Sequence, residues 1–284
     1  MATVVLNAGA TDMTVAGNYT GGVGPSAGDV VQIREGSQTI TVGPSVNLNM
    51  LEVGPNFRGA MNATVSCASG TTPTIKLGGN TSSIVLTAGA SNVTTIECAQ
   101  LAGEVHLQGG TFTNAKFYRG RNYVEGAATA TTAFNFGADT TLYSGAGATT
   151  TLHNMAGLTR SKRALTTANI GGRSTLIVND SGTIATANVT GDAALVLQAT
   201  DPTAPTNVTC TSVNLYDRAT LTPNGALASM TITNLTIFGA ETKPILRSGP
   251  VKITATNTTN HPDIGTFSDP AGGGGGVFLG VTGL

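Results

Sequence analysis

The stretch from Leu165 to Leu197 writes one unit twice. Leu165, Ala168 and Ile170 are followed by Gly171 and then by Leu176, Ile177 and Val178. Nineteen residues on, Ile184, Ala187 and Val189 lead through Gly191 to Leu195, Val196 and Leu197. Short apolar runs separated by Gly, Asn, Asp and Ser at such a period are coils of a solenoid, because each copy is too small to bury its apolar side except against the next one.

A six-residue signature carries the repeat further: an apolar residue, two others, a small or apolar residue, one other, then an apolar residue. It occurs at Leu48, Leu51, Val53; Val93, Ile96, Cys98; Phe112, Ala115, Phe117; Leu165, Ala168, Ile170; Ile184, Ala187, Val189; Cys210, Val213, Leu215; and Leu227, Met230, Ile232. The step of three followed by two lacks the continuing positions of a helix. It fits a corner and then a strand, whose last two apolar residues, two apart, point to one face. Spacings of 19 from Val93 to Phe112 and from Leu165 to Ile184 grow to 26 between Ile184 and Cys210, where Asp201 to Thr206 adds a Pro-containing excursion. Between 122 and 160 the signature gives way to Ala, Thr and Gly, and Phe134, Phe136, Leu142, Leu152 and Met155 are the expected inward residues.

Composition agrees with extended backbone. Thr occurs 48 times and Gly 38 times, while charged residues are only 10%, against about 25% in a typical soluble domain. Branching at Cβ stiffens Thr and Val in favour of strands, and scattered Gly and Pro interrupt helices. The expected fold is all-β, a single-stranded parallel β-helix. A β-sandwich is the competing architecture, but hairpin dipeptides are few, Asn224-Gly225 being the clearest. Three segments are expected: a lead-in with an opening coil over 1–45, the β-helix over 46–255, and a Gly-rich tail over 256–284. The tail follows the polar stretch from Asn257 and carries five glycines, Gly272 to Gly276, before an apolar end. Val277, Phe278, Leu279, Val281 and Leu284 are therefore the expected partner-contact residues, since a flexible tether ending in apolar side chains reads as a docked tail.

No catalytic motif stands out. Glycoside hydrolysis on such a scaffold needs two carboxylates on neighbouring coils and aromatic platforms for sugar rings. There is no Trp, and Asp139, Asp180, Asp192 and Asp217 read as turn formers. A lyase would need a Ca²⁺ cage of clustered Asp, which the sequence does not show. His106, His153 and His261 lack Cys or Glu at ligand spacing, so neither a metal nor any other cofactor is expected. Thr-x-Thr pairs such as Thr149 and Thr151 share no common period, which argues against an ice-binding face. Net charge is −1, and the nearest approach to a basic cluster is Arg160, Lys162 and Arg163, so direct nucleic-acid binding is not expected. Cys67, Cys98 and Cys210 are an odd number at unrelated spacing, and Cys98 and Cys210 fall in apolar positions of the repeat, as free buried thiols do. The N-terminal stretch has no basic region followed by a long apolar run, so a soluble chain without a cleaved export signal or membrane contact is expected.

The opening pattern Gly28-Asp29-Val30-Val31-x-Ile33, followed by Ser37-x-Thr39-Ile40-x-Val42, resembles the first coil of many parallel β-helix proteins. Low charge, abundant Thr, Ala and Gly, this opening coil and a loose C-terminal tail together resemble the bacteriophage head-decoration, or cement, proteins with tailspike-like bodies. The resemblance implies a non-enzymatic homotrimer on the outer surface of a phage capsid, made in the host cytoplasm, whose partner is the major capsid protein. The alternative is a tail spike or fibre binding a host surface glycan, for which Tyr118, Tyr123, Tyr143 and Tyr216 are the candidate contacts. A bacterial adhesin is disfavoured by the missing export signal.

Overall fold

The computed structural model describes residues 1–67, 73–79, 83–89, 92–100, 103–143, 147–179, 182–199, 207–225, 229–238 and 252–260. Within them the chain is an all-β solenoid of parallel strands without an α-helix. The chain forms two compact units, Met1–Ala148 and Thr149–Leu284.

The first unit contains β1 (Thr3–Val5), β2 (Val30–Gly36), β3 (Thr39–Ile40), β4 (Met50–Phe57), β5 (Ala60–Val65), β6 (Thr74–Leu77), β7 (Ser83–Ala88), β8 (Val93–Cys98), β9 (Glu104–Gly109), β10 (Thr111–Phe117), β11 (Arg121–Val124) and β12 (Thr129–Leu142). From β2 to β10 each strand pairs with the one two places on, while β1 pairs with β2 and β11 with β12, so the coils make two parallel stacks. β1, β2, β4, β6, β8, β10 and the first half of β12 form one. β3, β5, β7, β9, β11 and the second half of β12 form the other. Residues of the lead-in cover the open edge of the first coil. Leu6, Ala10, Met13 and Tyr19 are buried, the Tyr19 hydroxyl donates to the Met13 carbonyl at 2.8 Å, and burial, with Asp12 nearby, pushes that phenol up to about 12. A solenoid needs such a cover because its end coil presents unpaired backbone groups.

The second unit contains β13 (Thr149–Ser161), β14 (Leu165–Ile170), β15 (Thr175–Asn179), β16 (Ile184–Val189), β17 (Ala194–Ala199), β18 (Asn207–Tyr216), β19 (Thr220–Gly225), β20 (Ser229–Phe238) and β21 (Lys252–Asn260). The first half of β13, then β14, β16, β18, β20 and β21 stack in parallel, as do the second half of β13, then β15, β17 and β19. Asn224-Gly225 is no hairpin turn: both residues lie in a parallel ladder opposite Gln198 and Ala199. β21 carries the stack past residue 256 to Asn260.

Register explains the signature. Leu165, Ile184 and Cys210 are stacked partners, as are Ala168, Ala187 and Val213, and Ile170, Val189 and Leu215. All nine are at most 2% exposed, and each larger member contributes about 1.5–3 kcal/mol by leaving water. The last signature needs correction. Cys210 pairs with Ile232, so the equivalent triplet is Ile232, Leu235 and Ile237; Met230 instead sits beside Val208. Leu227 lies outside the described residues. A second correction concerns 122–160. Leu142 and Leu152 are buried, but Phe136 and Met155 are exposed and Phe134 is half-buried. The interior of the β12 coil is Ala130, Ala133, Asn135, Ala138, Thr140 and Leu142.

The turns after β14, β16 and β18 repeat as well. Gly172, Gly191 and Asp217 each stand two residues past the strand's last buried apolar side chain, and each has φ between 57° and 68°. Glycine enters this left-handed region without penalty, and Asp is among the few other residues that tolerate it. Asp217 is thus a turn former, as its sequence position suggested.

Candidate functional site

Outward side chains of the second unit bond to their counterparts one coil away. The Asn188 amide donates to Asn169 Oδ1 at 2.9 Å, and the Asn214 amide to Asn188 Oδ1 at 2.8 Å. A parallel column holds Thr151, Thr167, Thr186 and Ser212. The resulting Thr-x-Asn array was missed in the sequence because its second member is Asn, not Thr. At the turn, Asp192 pairs with Arg218 and stands 3.9 Å from Arg173 Nε; with both arginines largely exposed, such pairs contribute less than about 1 kcal/mol.

The richest chemistry lies on the outside of the first unit, where β9 and β11 pair with Glu104 beside Arg121 and His106 beside Tyr123. Strand alternation turns these four side chains outward together while Val105, Leu107 and Val124 point into the core. His106 Nδ1 is 2.9 Å from Glu125 Oε1, and its Nε2 is 3.3 Å from Glu104 Oε2. Glu104 Oε1 accepts from the Tyr123 hydroxyl at 3.3 Å and pairs with Arg121 Nη1 at 2.9 Å. Gln108 donates to Glu125 Oε1 at 3.2 Å. Above this polar row the His106 and Tyr123 rings stack at 4.6 Å between centroids, and Tyr143 lies 6.1 Å from Tyr123. Burial, followed by the Glu104 carboxylate, holds the Tyr123 phenol above its ordinary value. Around the neighbouring corner Tyr118 stacks on Phe136 at 5.1 Å, and both are exposed.

Three of the four tyrosines proposed as contacts are therefore brought to consecutive coils of one unit. Tyr216 belongs to the second unit and is stacked on Phe238 at 4.6 Å. His106 also needs correction: it is flanked by two glutamates, one two residues earlier and one nineteen residues later. Among the described residues, no group of three or more His, Cys, Asp or Glu is arranged to hold a metal ion. The arrangement offers a half-buried row of carboxylate, imidazole, amide and aromatic groups suited to hydroxyl-rich ligands.

A concavity lined by Gln32, Arg34, Glu52 and Pro55 has its polar groups engaged with one another, Gln32 donating to Glu52 at 2.7 Å and Arg34 to Gln32 at 2.9 Å. Asp139 sits opposite Arg121 on β12. Arg163 is buried, so Arg160, Lys162 and Arg163 do not make a shared basic surface. All three cysteines are free and buried. Val277, Phe278, Leu279, Val281 and Leu284, together with Asp180 and His261, lie outside the described residues. No protein-family model, curated protein or solved structure matches this chain.

Proposed function

We propose that this chain is a structural virion protein that decorates the outside of a phage capsid as a homotrimer and stabilises it by bridging neighbouring capsomers. The observation that carries the reading is the outer surface of the second unit, where asparagine amides bond to their own counterparts coil by coil beside a column of hydroxyl side chains. Such a surface stiffens the stack and offers few unpaired charges, which suits a post whose task is attachment. A bridge of this kind needs about 1,200–2,000 Å² of buried surface per contact. Adding purified chain to undecorated heads and imaging them by electron cryomicroscopy tests it. Stoichiometric density on the capsid exterior is expected; density confined to the tail, or none, contradicts it.

A second reading, recognition of a host surface glycan by a spike or fibre, is favoured by one observation: the His106–Tyr123–Tyr143 strip with Glu104 and Glu125 beside it. Aromatic faces and carboxylates in a row are what sugar rings bind. Binding of host polysaccharide that is lost in Tyr143→Ala supports this reading, and its retention in that variant argues against this strip.

A further inference from the structure

At the two coils made by β10, β11 and β12 the interior of the first unit changes character. Along one inward column Ile75 and Ile96 are followed by Ala115 and Ala133. Along another, Met61, Ile84 and Val105 are followed by Asn122 and Thr140. Bulky apolar residues thus give way to small and polar ones in one column of each stack, while Phe112 and Phe117 keep the flanking columns of the β10 coil filled. Ala128, Ala130 and Ala138 add further small side chains there.

Asn122 and Thr140 are register partners on adjacent coils and are at most 1% exposed. The Asn122 amide nitrogen donates to the carbonyls of Arg119 at 3.0 Å and Gly120 at 3.3 Å. Those two carbonyls fix which way the amide faces, since its oxygen in their place would be repelled. Asn122 Oδ1 is then directed elsewhere and has no protein partner, and the same holds for Thr140 Oγ1. One coil earlier Gln100, 1% exposed, leaves both its amide oxygen and its amide nitrogen unpartnered. Its backbone lies against Gly120, the residue whose carbonyl Asn122 caps.

A buried polar group without a partner is costly, and a column that uses Ile84 and Val105 shows that apolar side chains fit here. We infer that the interior of the first unit at this level is a water-binding chamber, in which ordered water bridges Asn122 Oδ1 and Thr140 Oγ1 and extends toward the Gln100 amide. The alanines supply room, and the side-chain atoms supply the two to four polar partners that a buried water requires. A dry cavity would be lined by apolar atoms alone. Water fits better than a cation, because the polar side chains at this level are amides and a hydroxyl, and Gln100 brings a donor.

The test pairs a high-resolution crystal structure of the full chain with Thr140→Val, which is nearly isosteric and replaces the hydroxyl with a methyl group. Expected are a density peak within hydrogen-bond distance of both Asn122 Oδ1 and Thr140 Oγ1 in the natural chain, and a lowered melting temperature in the variant. An unpartnered hydroxyl would give the opposite sign, since removing it relieves a penalty. Absence of the density peak, or a raised melting temperature in Thr140→Val, overturns the inference.

Discussion

Replacing Ile184 with alanine removes a side chain that is 2% exposed and stacked between Leu165 and Cys210. Neither neighbour can follow the lost atoms inward without breaking its own ladder, so the site keeps most of the void. Truncations of this kind cost about 2–5 kcal/mol, the transfer of the deleted carbons plus the cavity left behind. At about 2–4 °C per kcal/mol the melting temperature should fall by about 4–20 °C. Thr183, the residue just before, is exposed, and Thr183→Ala should stay within about 0.5 kcal/mol. Thermal unfolding followed by circular dichroism reads both. Because an extended chain places alternate residues on opposite faces, a one-residue error in register would exchange the two results. An Ile184→Ala shift no larger than that of Thr183→Ala refutes the inward assignment.

The outward Asn column should also matter. Asn188→Ala removes one donated and one accepted side-chain bond, a loss of about 1–3 kcal/mol by denaturant titration; no measurable loss would mean the column is idle. Burial pushes the Cys67 and Cys210 thiols up to about 12 and raises Cys98 too. A thiol held neutral in the fold stabilises it fully below the ordinary thiol pKa of about 8.5, and the contribution is lost as pH rises above that value, because only the unfolded chain then sheds the proton. The folded chain should therefore resist a thiol reagent at pH 8 and label three cysteines once unfolded, whereas fast labelling of the folded chain would contradict the burial. Deleting residues 272–284 should lower trimer content or capsid occupancy while leaving the β-sheet signal intact; unchanged binding would remove the apolar tail from the proposed contact.

What the sequence could disclose depended on what fills the coils. Where the interior is Val, Leu, Ile and Phe, hydrophobic periodicity exposes the register directly, as at Leu165 to Val189. Where it is Ala, Asn and Thr, as in β12, inward and outward residues have similar polarity, and the large residues Phe136 and Met155 turned out to face solvent. The slip at Leu227 has another cause. Met230, Ile232, Leu235 and Ile237 are all buried, because β18 and β20 pair over a longer stretch, and two overlapping triplets match the same pattern. The His106 cluster was hidden by reading motifs along the chain. The coil here advances by 17 residues, which sets 104 beside Arg121 and 106 beside Tyr123, so the spacing of 19 read elsewhere in the chain did not point to these partners.

The direction of winding is the claim on which the fold rests, and amide-to-amide proton contacts between β16 and β18, measured by nuclear magnetic resonance on the deuterated chain with protons returned to its amides, test it most directly. Parallel stacking predicts contacts of Ile184 with Cys210 and of Val189 with Leu215. Contacts of Ile184 with Leu215 and of Val189 with Cys210 would mean that the strands run antiparallel and that the chain does not wind as a solenoid.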